Sequence, residues 1–578
     1  MTHMQRPVIY QLIPRLFSNT CPKPVPDGPI NVNGSGKLNG ITKESINYIK
    51  SLGCNYIWLT GVLEHSHDAD YTQYGIARNN PHVIKGRAGS PYAITDYYDI
   101  DPDIAENVDK RIDEFDACVQ RIHKAGMKVV IDFVPNHVAR EYHSDAAPKG
   151  VEDFGAGDNN DMFFSPSNNF YYIPRQKFSP HVDMGVGDDA YVEFPARATG
   201  NDCYTAFPGA CDWYDTIKLN YGVDPANGSK HFDPIPPTWL KMLSILRYWA
   251  SHGVDAFRCD MVHMVPVEFW NWAIGNVKAH YPHIKFIAEI YDVALYRPYI
   301  FEGGFDYLYD KVTLYDTLRA IETGNVSAAC LTSCWQTVEG IAPHMLNFLE
   351  NHDEQRFASP QYAGDAKRAL PSLVVSATMN TGAMMIYFGQ EIGERATEAE
   401  GYSGMDGRTT IFDYWSLEKV RRLYNRGACD GRLSDDEQVL LEQYRSVLSL
   451  VNSEDAIRDG AFFDLMYVNY NNPGFNPHRQ YAYLRSGTDA TILIVVNFSD
   501  EKANVEVNIP RHAFDVLGIK PRTVRATELL SRQRHTITFS PDTPVSCSLR
   551  AHGAVVLRIP HSKAKKGGDG TDLYDKNA

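Results

Sequence analysis

Along roughly the first 430 residues, short apolar runs are followed by longer stretches in which apolar residues recur every three or four positions. The runs include Val8–Leu12, Tyr56–Leu59 and Lys128-Val129-Val130-Ile131-Asp132-Phe133-Val134, with others at 254–259, 286–288, 305–308, 346–349 and 384–388. A strand covered on both faces reads as a nearly continuous apolar run, because neither side meets water. The helical period predicts helices at 45–52, 108–125, 239–252 and 266–280, the second stopping at Gly126. About eight strands with helices between them is the pattern of a parallel (β/α)8 TIM barrel.

The alternation fails between residues 138 and 237, a stretch rich in Asn, Asp, Gly, Pro and aromatics. It is too long for a loop and is expected to be a small domain inserted after the third strand. The barrel then comprises 1–137 and 238–435. Past 436 a helical segment gives way to short strands such as Thr491-Ile492-Leu493-Ile494-Val495-Val496-Asn497, which predict a C-terminal antiparallel β-sandwich over 436–560. The tail, 561–578, has a disordered composition.

Composition narrows the function classes. A net charge of −15 lacks the basic face that nucleic acid or an anionic membrane demands, so neither is an expected partner. The 34 Tyr, 26 Phe and 8 Trp supply ring faces that stack on sugars as well as filling a core. The ten cysteines show no paired zinc spacing, and only Cys203 and Cys211 lie where a disulfide is conceivable. No apolar leader and no run of transmembrane length is present, so a cytoplasmic setting is expected. Nothing assigns an oligomeric state.

Four predicted strands end in polar groups: Asp132-Phe133-Val134-Pro135-Asn136-His137, Arg258-Cys259-Asp260, Ala288-Glu289-Ile290 and Asn351-His352-Asp353. In a parallel barrel these strand ends share one rim, so three carboxylates, two histidines and an arginine converge there. Arg258 and Asp260, two apart on a strand, face the same side, and the guanidinium is expected to hold Asp260 anionic as a nucleophile. Glu289, after an apolar run, is expected to have a raised pKa and to donate a proton to a leaving oxygen. Carboxyls on neighbouring strands can lie about 5–5.5 Å apart, the spacing of a retaining glycosidase. Asp353 adds negative charge for an oxocarbenium-like transition state, and His137 and His352 offer donors to sugar hydroxyls.

Those four segments resemble the signature regions of the α-amylase family of retaining glycoside hydrolases. So do Val8-Ile9-Tyr10-Gln11, Ile217-Lys218-Leu219-Asn220 and Ile386-Tyr387-Phe388-Gly389-Gln390-Glu391-Ile392-Gly393, all in the family's order. The resemblance implies Asp260 as nucleophile, Glu289 as general acid/base and Asp353 as transition-state stabiliser, with sugar binding by His137, His352 and Arg258. It implies that Tyr92 stacks under the sugar at the cleavage site, and that Arg356 joins a salt bridge at the rim. No cofactor is required; Asn136 matches a position that binds structural calcium in the family.

Two positions depart from the pattern. Where many members have Lys-His after the nucleophile, this chain has His263 and Met264, which face the acceptor side and make His263 a further candidate for substrate binding. The long second-strand loop, 61–89, is expected to reshape the donor side. The expected activity is retaining cleavage of α-glucosidic bonds, α-1,4 by expectation, in starch-like glucans or maltooligosaccharides. An α-glucan or maltosyl transferase is the alternative. Two further readings rank below: a metal-dependent barrel hydrolase using His65-Ser66-His67, whose bland counterpart is a pair of solvated loop histidines, and a glucan-binding protein without catalysis.

Overall fold

The structure, a computed structural model, describes residues 5–424 and 432–561. Cys429 and all of the C-terminal tail except His561 lie outside the described residues. Eight parallel strands close into a barrel: Val8–Leu12 (β1), Tyr56–Leu59 (β2), Lys128–Phe133 (β3), Ala256–Cys259 (β4), Lys285–Ala288 (β5), Tyr307–Tyr309 (β6), Met345–Asn347 (β7) and Ala383–Tyr387 (β8). Each strand pairs with its sequence neighbours, and β8 closes the circle on β1. Arg258 in β4 sits opposite Asp132 in β3 and Ile287 in β5, so the polar strand ends arrive at one level.

Helices Lys43–Ser51, Arg111–Lys124, Pro237–Ser251 and Val267–Lys278 follow the first four strands. The helix expected over 108–125 begins with a 3-10 turn at Val108–Lys110, because the Asn107 side chain caps Asp109 N–H and starts the α-helix three residues later.

Between β3 and Pro237 lie two small antiparallel pairs, His137–Ala139 with Thr216–Lys218 and Tyr172–Ile173 with Ala196–Arg197. They carry a separate apolar cluster that includes Tyr171, Phe178 and Tyr191, and Val83 of the long second-strand loop packs into it. That loop therefore belongs to the same wall of the cleft as the insertion. Its own strand pair is Leu63–His65 with Ile94–Ile100.

After the barrel, Ala461–Asp464 (β9), Gln480–Ser486 (β10), Ala490–Asn497 (β11), Gly553–Pro560 (β16), Arg522–Glu528 (β13) and Arg534–Phe539 (β14) form a six-stranded antiparallel sheet in that order. Ala503–Val507 (β12) and Val545–Leu549 (β15) make a second, two-stranded sheet. Every residue of β11 is buried, whereas exposed residues alternate with buried ones along β15. The continuous and alternating apolar patterns report those two environments.

Candidate active site

Arg258 organises the mouth of the barrel. It is fully buried, and its Nη1 donates to Asp260 Oδ1 at 2.8 Å while Nη2 lies 2.7 Å from Glu289 Oε1. Nη1 also reaches Asp132 Oδ1 at 3.4 Å, and Nε donates to the Tyr309 hydroxyl at 3.2 Å. The rings of Trp58 and Tyr92 flank the guanidinium, with their centroids 5.4 and 5.3 Å from its carbon. Arg258 is fully buried beneath Asp260 and Glu289, where it positions both carboxyls. Arg356 likewise pairs with Glu350, at 3.0 Å, and not with Asp353. Glu350 precedes the seventh-strand cluster and is buried on the inner side.

Because one guanidinium serves three carboxylates, it cannot hold Asp260 low by itself. Burial and the adjoining Glu289 carboxyl push Asp260 well above the usual carboxylate range, with Arg258 opposing them. This corrects the expectation from the Arg258–Asp260 pair alone. Arg258 thus balances the two carboxyls together rather than Asp260 alone.

The backbone after Asp260 turns sharply. Met261 has φ 42°, a left-handed conformation that a side chain disfavours, and its N–H donates to Glu289 Oε2 at 2.9 Å. The Tyr291 hydroxyl donates to Glu289 Oε1 at 2.6 Å. Sequence reading passed over Tyr291, although it stands two residues from Glu289, the spacing that brings Arg258 to Asp260. Tyr291→Phe is expected to lower kcat/KM about tenfold, because a donor that orients the Glu289 carboxyl is lost. Steady-state kinetics on both proteins check this.

Asp353 faces the cleft, with 39 % of its side chain exposed. Burial would raise its pKa, but His352, Arg258 and Arg408 outweigh that and hold it at about 2, so it is anionic across the working range. Gln11 Nε2 lies 2.8 Å from His352 Nδ1, and His352 Nε2 lies 3.1 Å from Asp353 Oδ2 and 2.6 Å from the Tyr92 hydroxyl. Tyr92 stacks on that imidazole with centroids 5.2 Å apart.

His137 is buried, and burial together with Lys218 and Lys85 depresses its pKa to about 3. It is therefore a neutral imidazole, with a single ring N–H to donate. A depressed folded pKa means that His137 contributes stability above its unfolded value of about 6.5, lost as pH falls toward about 3. His137→Gln is expected to flatten the fall of Tm over that interval, as read by thermal unfolding at several pH values.

Asp260, Glu289, Asp353, Tyr92, His137 and His352 border one cavity of about 520 Å³. Lys85 and Trp213, from the second-strand loop and the insertion, close its far side together with Phe412. His263 lies just past Asp260 and does not line this cavity; burial lowers its pKa. Asn136 lies outside it too. Its Oδ1 accepts from the Lys218 ammonium, which also pairs with Asp202 at 2.7 Å and donates to Met264 O at 3.1 Å. An ammonium already occupies the position a calcium ion would take against Asn136, so these residues do not fit a divalent cation there.

The His65-x-His67 pair is not a solvated loop, since both rings are buried. His65 Nε2 accepts from Arg15 at 3.0 Å and Nδ1 lies 2.9 Å from Asp101 Oδ2, which uses both ring nitrogens. Among the described residues no further histidine joins them in a metal-sized group. Cys203 and Cys211 are free thiols.

A closed parallel barrel whose strand-end carboxylates meet over a buried arginine at one open mouth defines a barrel enzyme of the acid–base kind. The chain belongs to the alpha-amylase family: the family's "Alpha amylase, catalytic domain" matches residues 11–179 and 237–422, more than half of the chain. Alpha-amylase MalA of Haloarcula japonica is 26% identical over 61% of this chain, which spans 41% of that protein. An alpha-amylase of Streptomyces lividans is 25% identical over 90% of this chain, which spans 56% of that one. A cyclomaltodextrinase of Thermoanaerobacter pseudethanolicus is 22% identical over 89% of this chain and 74% of its own. The chain thus covers about half or less of the first two relatives. Among solved structures, a maltogenic alpha-amylase AmyB from Thermotoga neapolitana superposes with a TM-score of 0.62 at 18% identity, covering 96% of this chain and 99% of that one. No helix among the described residues is long and apolar enough to cross a membrane.

Proposed function

We propose that this chain is a retaining glycosidase acting on α-glucosidic bonds, α-1,4 in the first place, of starch-like glucans or maltooligosaccharides. The observation that carries this reading is the grip of one guanidinium on both Asp260 and Glu289, at 2.8 and 2.7 Å. Carboxyls held by adjacent nitrogens of one arginine belong to the close-spaced class, whereas an inverting pair stands roughly 6.5–9.5 Å apart to admit a water. Asp260 attacks C1 and forms a glycosyl ester as the C1–O bond breaks, while Glu289 gives its proton to the departing oxygen. Glu289, now a base, takes a proton from water, which attacks C1 and releases Asp260. Asp353, anionic and beside the cleft, stabilises positive charge developing on the sugar ring. Tyr92, His137 and His352 hold that sugar, and His263 lies further out on the acceptor side.

Several relatives support the substrate class. The similar proteins include a neopullulanase 2 from Thermoactinomyces vulgaris and an intracellular maltogenic amylase from Bacillus subtilis, and a Geobacillus thermoleovorans alpha-amylase of the same fold was solved with acarbose. The free thiols, Cys211 and Cys330 among them exposed, support a reducing, intracellular setting. Product analysis tests the reading. Maltooligosaccharides of defined length should give shorter sugars whose fresh reducing ends are α-anomers by NMR. Products longer than the substrate would move the assignment to the transferase, and β-anomers would sink the retaining mechanism.

A further inference from the structure

A second group of carboxylates lies away from the cleft, where the second-strand loop meets the start of the insertion. Glu64, from the strand Leu63–His65, Asp99, from Ile94–Ile100, and Asp145 each offer one oxygen, and these lie within 4.8 Å of one another. Glu64 and Asp99 are buried, with 4% and 1% exposure, while Asp145 opens the group to solvent. Asp96 adds a fourth carboxylate at the wall, saturated by Tyr98, Asp145 and Ala146 N–H and the Ser144 hydroxyl.

The charges do not balance. Among the described residues Arg111 is the one cation in contact with the group: its Nε donates to both Asp99 oxygens at 2.8 Å, and its Nη2 stands 3.8 Å from Asp145. Glu64 Oε1 accepts from the Thr95 hydroxyl at 2.9 Å, but Oε2 is buried with no hydrogen-bond partner. A buried carboxylate oxygen without a donor is costly. Burial raises the pKa of Glu64, Asp96, Asp99 and Asp145 alike, and repulsion from neighbouring carboxylates adds to it at Glu64, Asp96 and Asp99. The neighbouring group His67, Asp101 and Asp103 makes a useful contrast. There Arg15 and Lys37 supply positive charge, and Tyr71 and Tyr414 donate to the two Asp103 oxygens.

We infer that Glu64, Asp99 and Asp145 bind a hard divalent cation of the calcium or magnesium class. An all-oxygen donor set selects such ions over zinc or copper, and water entering past Asp145 completes the shell. The ion would fasten the Leu63–His65/Ile94–Ile100 pair to the segment after β3, adding to the bonds of His143 N–H on Thr95 O at 3.0 Å, of the Tyr97 hydroxyl on His137 O at 3.0 Å and of Asp96. It would therefore stabilise the wall that carries Tyr92 without touching the reacting atoms.

The test uses the full chain, stripped with EDTA and dialysed free of chelator, then titrated with CaCl2 and separately with MgCl2 by calorimetry and thermal unfolding. Saturable binding with Kd below about 1 mM and a rise in Tm are expected for at least one ion. Glu64→Gln, which keeps the Thr95 bond, and Asp145→Asn, at an exposed position, are each expected to weaken binding at least tenfold. The metal-free Glu64→Gln protein should unfold at or above the wild-type temperature, because a repulsive charge is gone. Absence of heat and of any Tm shift up to about 10 mM of either ion overturns the inference. An equal response in both variants also overturns it, since the ion then sits elsewhere.

Discussion

Asp260→Asn is expected to lower kcat on maltooligosaccharides by at least ~10⁴-fold while leaving the barrel folded and more resistant to heat. The first effect follows from position. Asp260 ends β4 at the cleft, its backbone N–H anchored to Phe133 O at 2.9 Å, and an amide cannot form the glycosyl ester. The second follows from the environment. Burial and Glu289 raise the folded-state pKa of Asp260 above its ordinary value of about 4. Such a shift favours the protonated side chain in the fold, so stability is greatest below the unfolded pKa and is lost as pH rises through the folded one. Asparagine mimics the protonated acid and escapes that loss. The Tm gain should accordingly be larger at pH 8 than at pH 4. Near-normal turnover would remove Asp260 from the nucleophile role, and a Tm equally lowered at both pH values would recast it as a structural partner of Arg258.

Glu289→Gln should cost about 10³-fold on natural glucans and far less, in the first step, on an aryl maltooligosaccharide with an acidic phenol as leaving group. Glutamine keeps the size of the group and one acceptor oxygen, which serves either Arg258 and Tyr291 or Met261 N–H, so a part of the loss is in positioning and is common to both substrates. What disappears is the proton that an alkoxide needs on departure and a phenolate does not. The alkaline limb of the pH–rate profile should vanish with it. Pre-steady-state rates on the two substrate types read this directly. Equal losses on both would mean that Glu289 does not donate the proton.

Much of this site was legible from residue order. A strand that is apolar until a final carboxylate exposes that group at the rim whatever surrounds it, so Asp260, Glu289 and Asp353 stood out before any contact was known. Tyr92, His137 and His352 followed from the motifs they belong to. Other features were not legible, because they depend on which strands are neighbours and how many groups share one cation. Arg258 looked like the private partner of Asp260, but closure of the barrel also brings Glu289 and Asp132 to it. Asn136 looked like a calcium ligand, and pairing of His137–Ala139 with Thr216–Lys218 instead delivers the Lys218 ammonium. His65 and His67 read as loop residues, but the second-strand loop folds back on Ile94–Ile100 and buries both.

The sequence by itself determined the barrel, the C-terminal sheet and the gathering of Asp260, Glu289 and Asp353 at one rim, since hydrophobic period and strand-end chemistry are local properties of the chain. Only the tertiary structure decided which cation balances which carboxylate and which acidic group is left unbalanced. Those are sums of charge and burial over residues far apart in sequence, and the sums take a definite value only when the chain has closed around them.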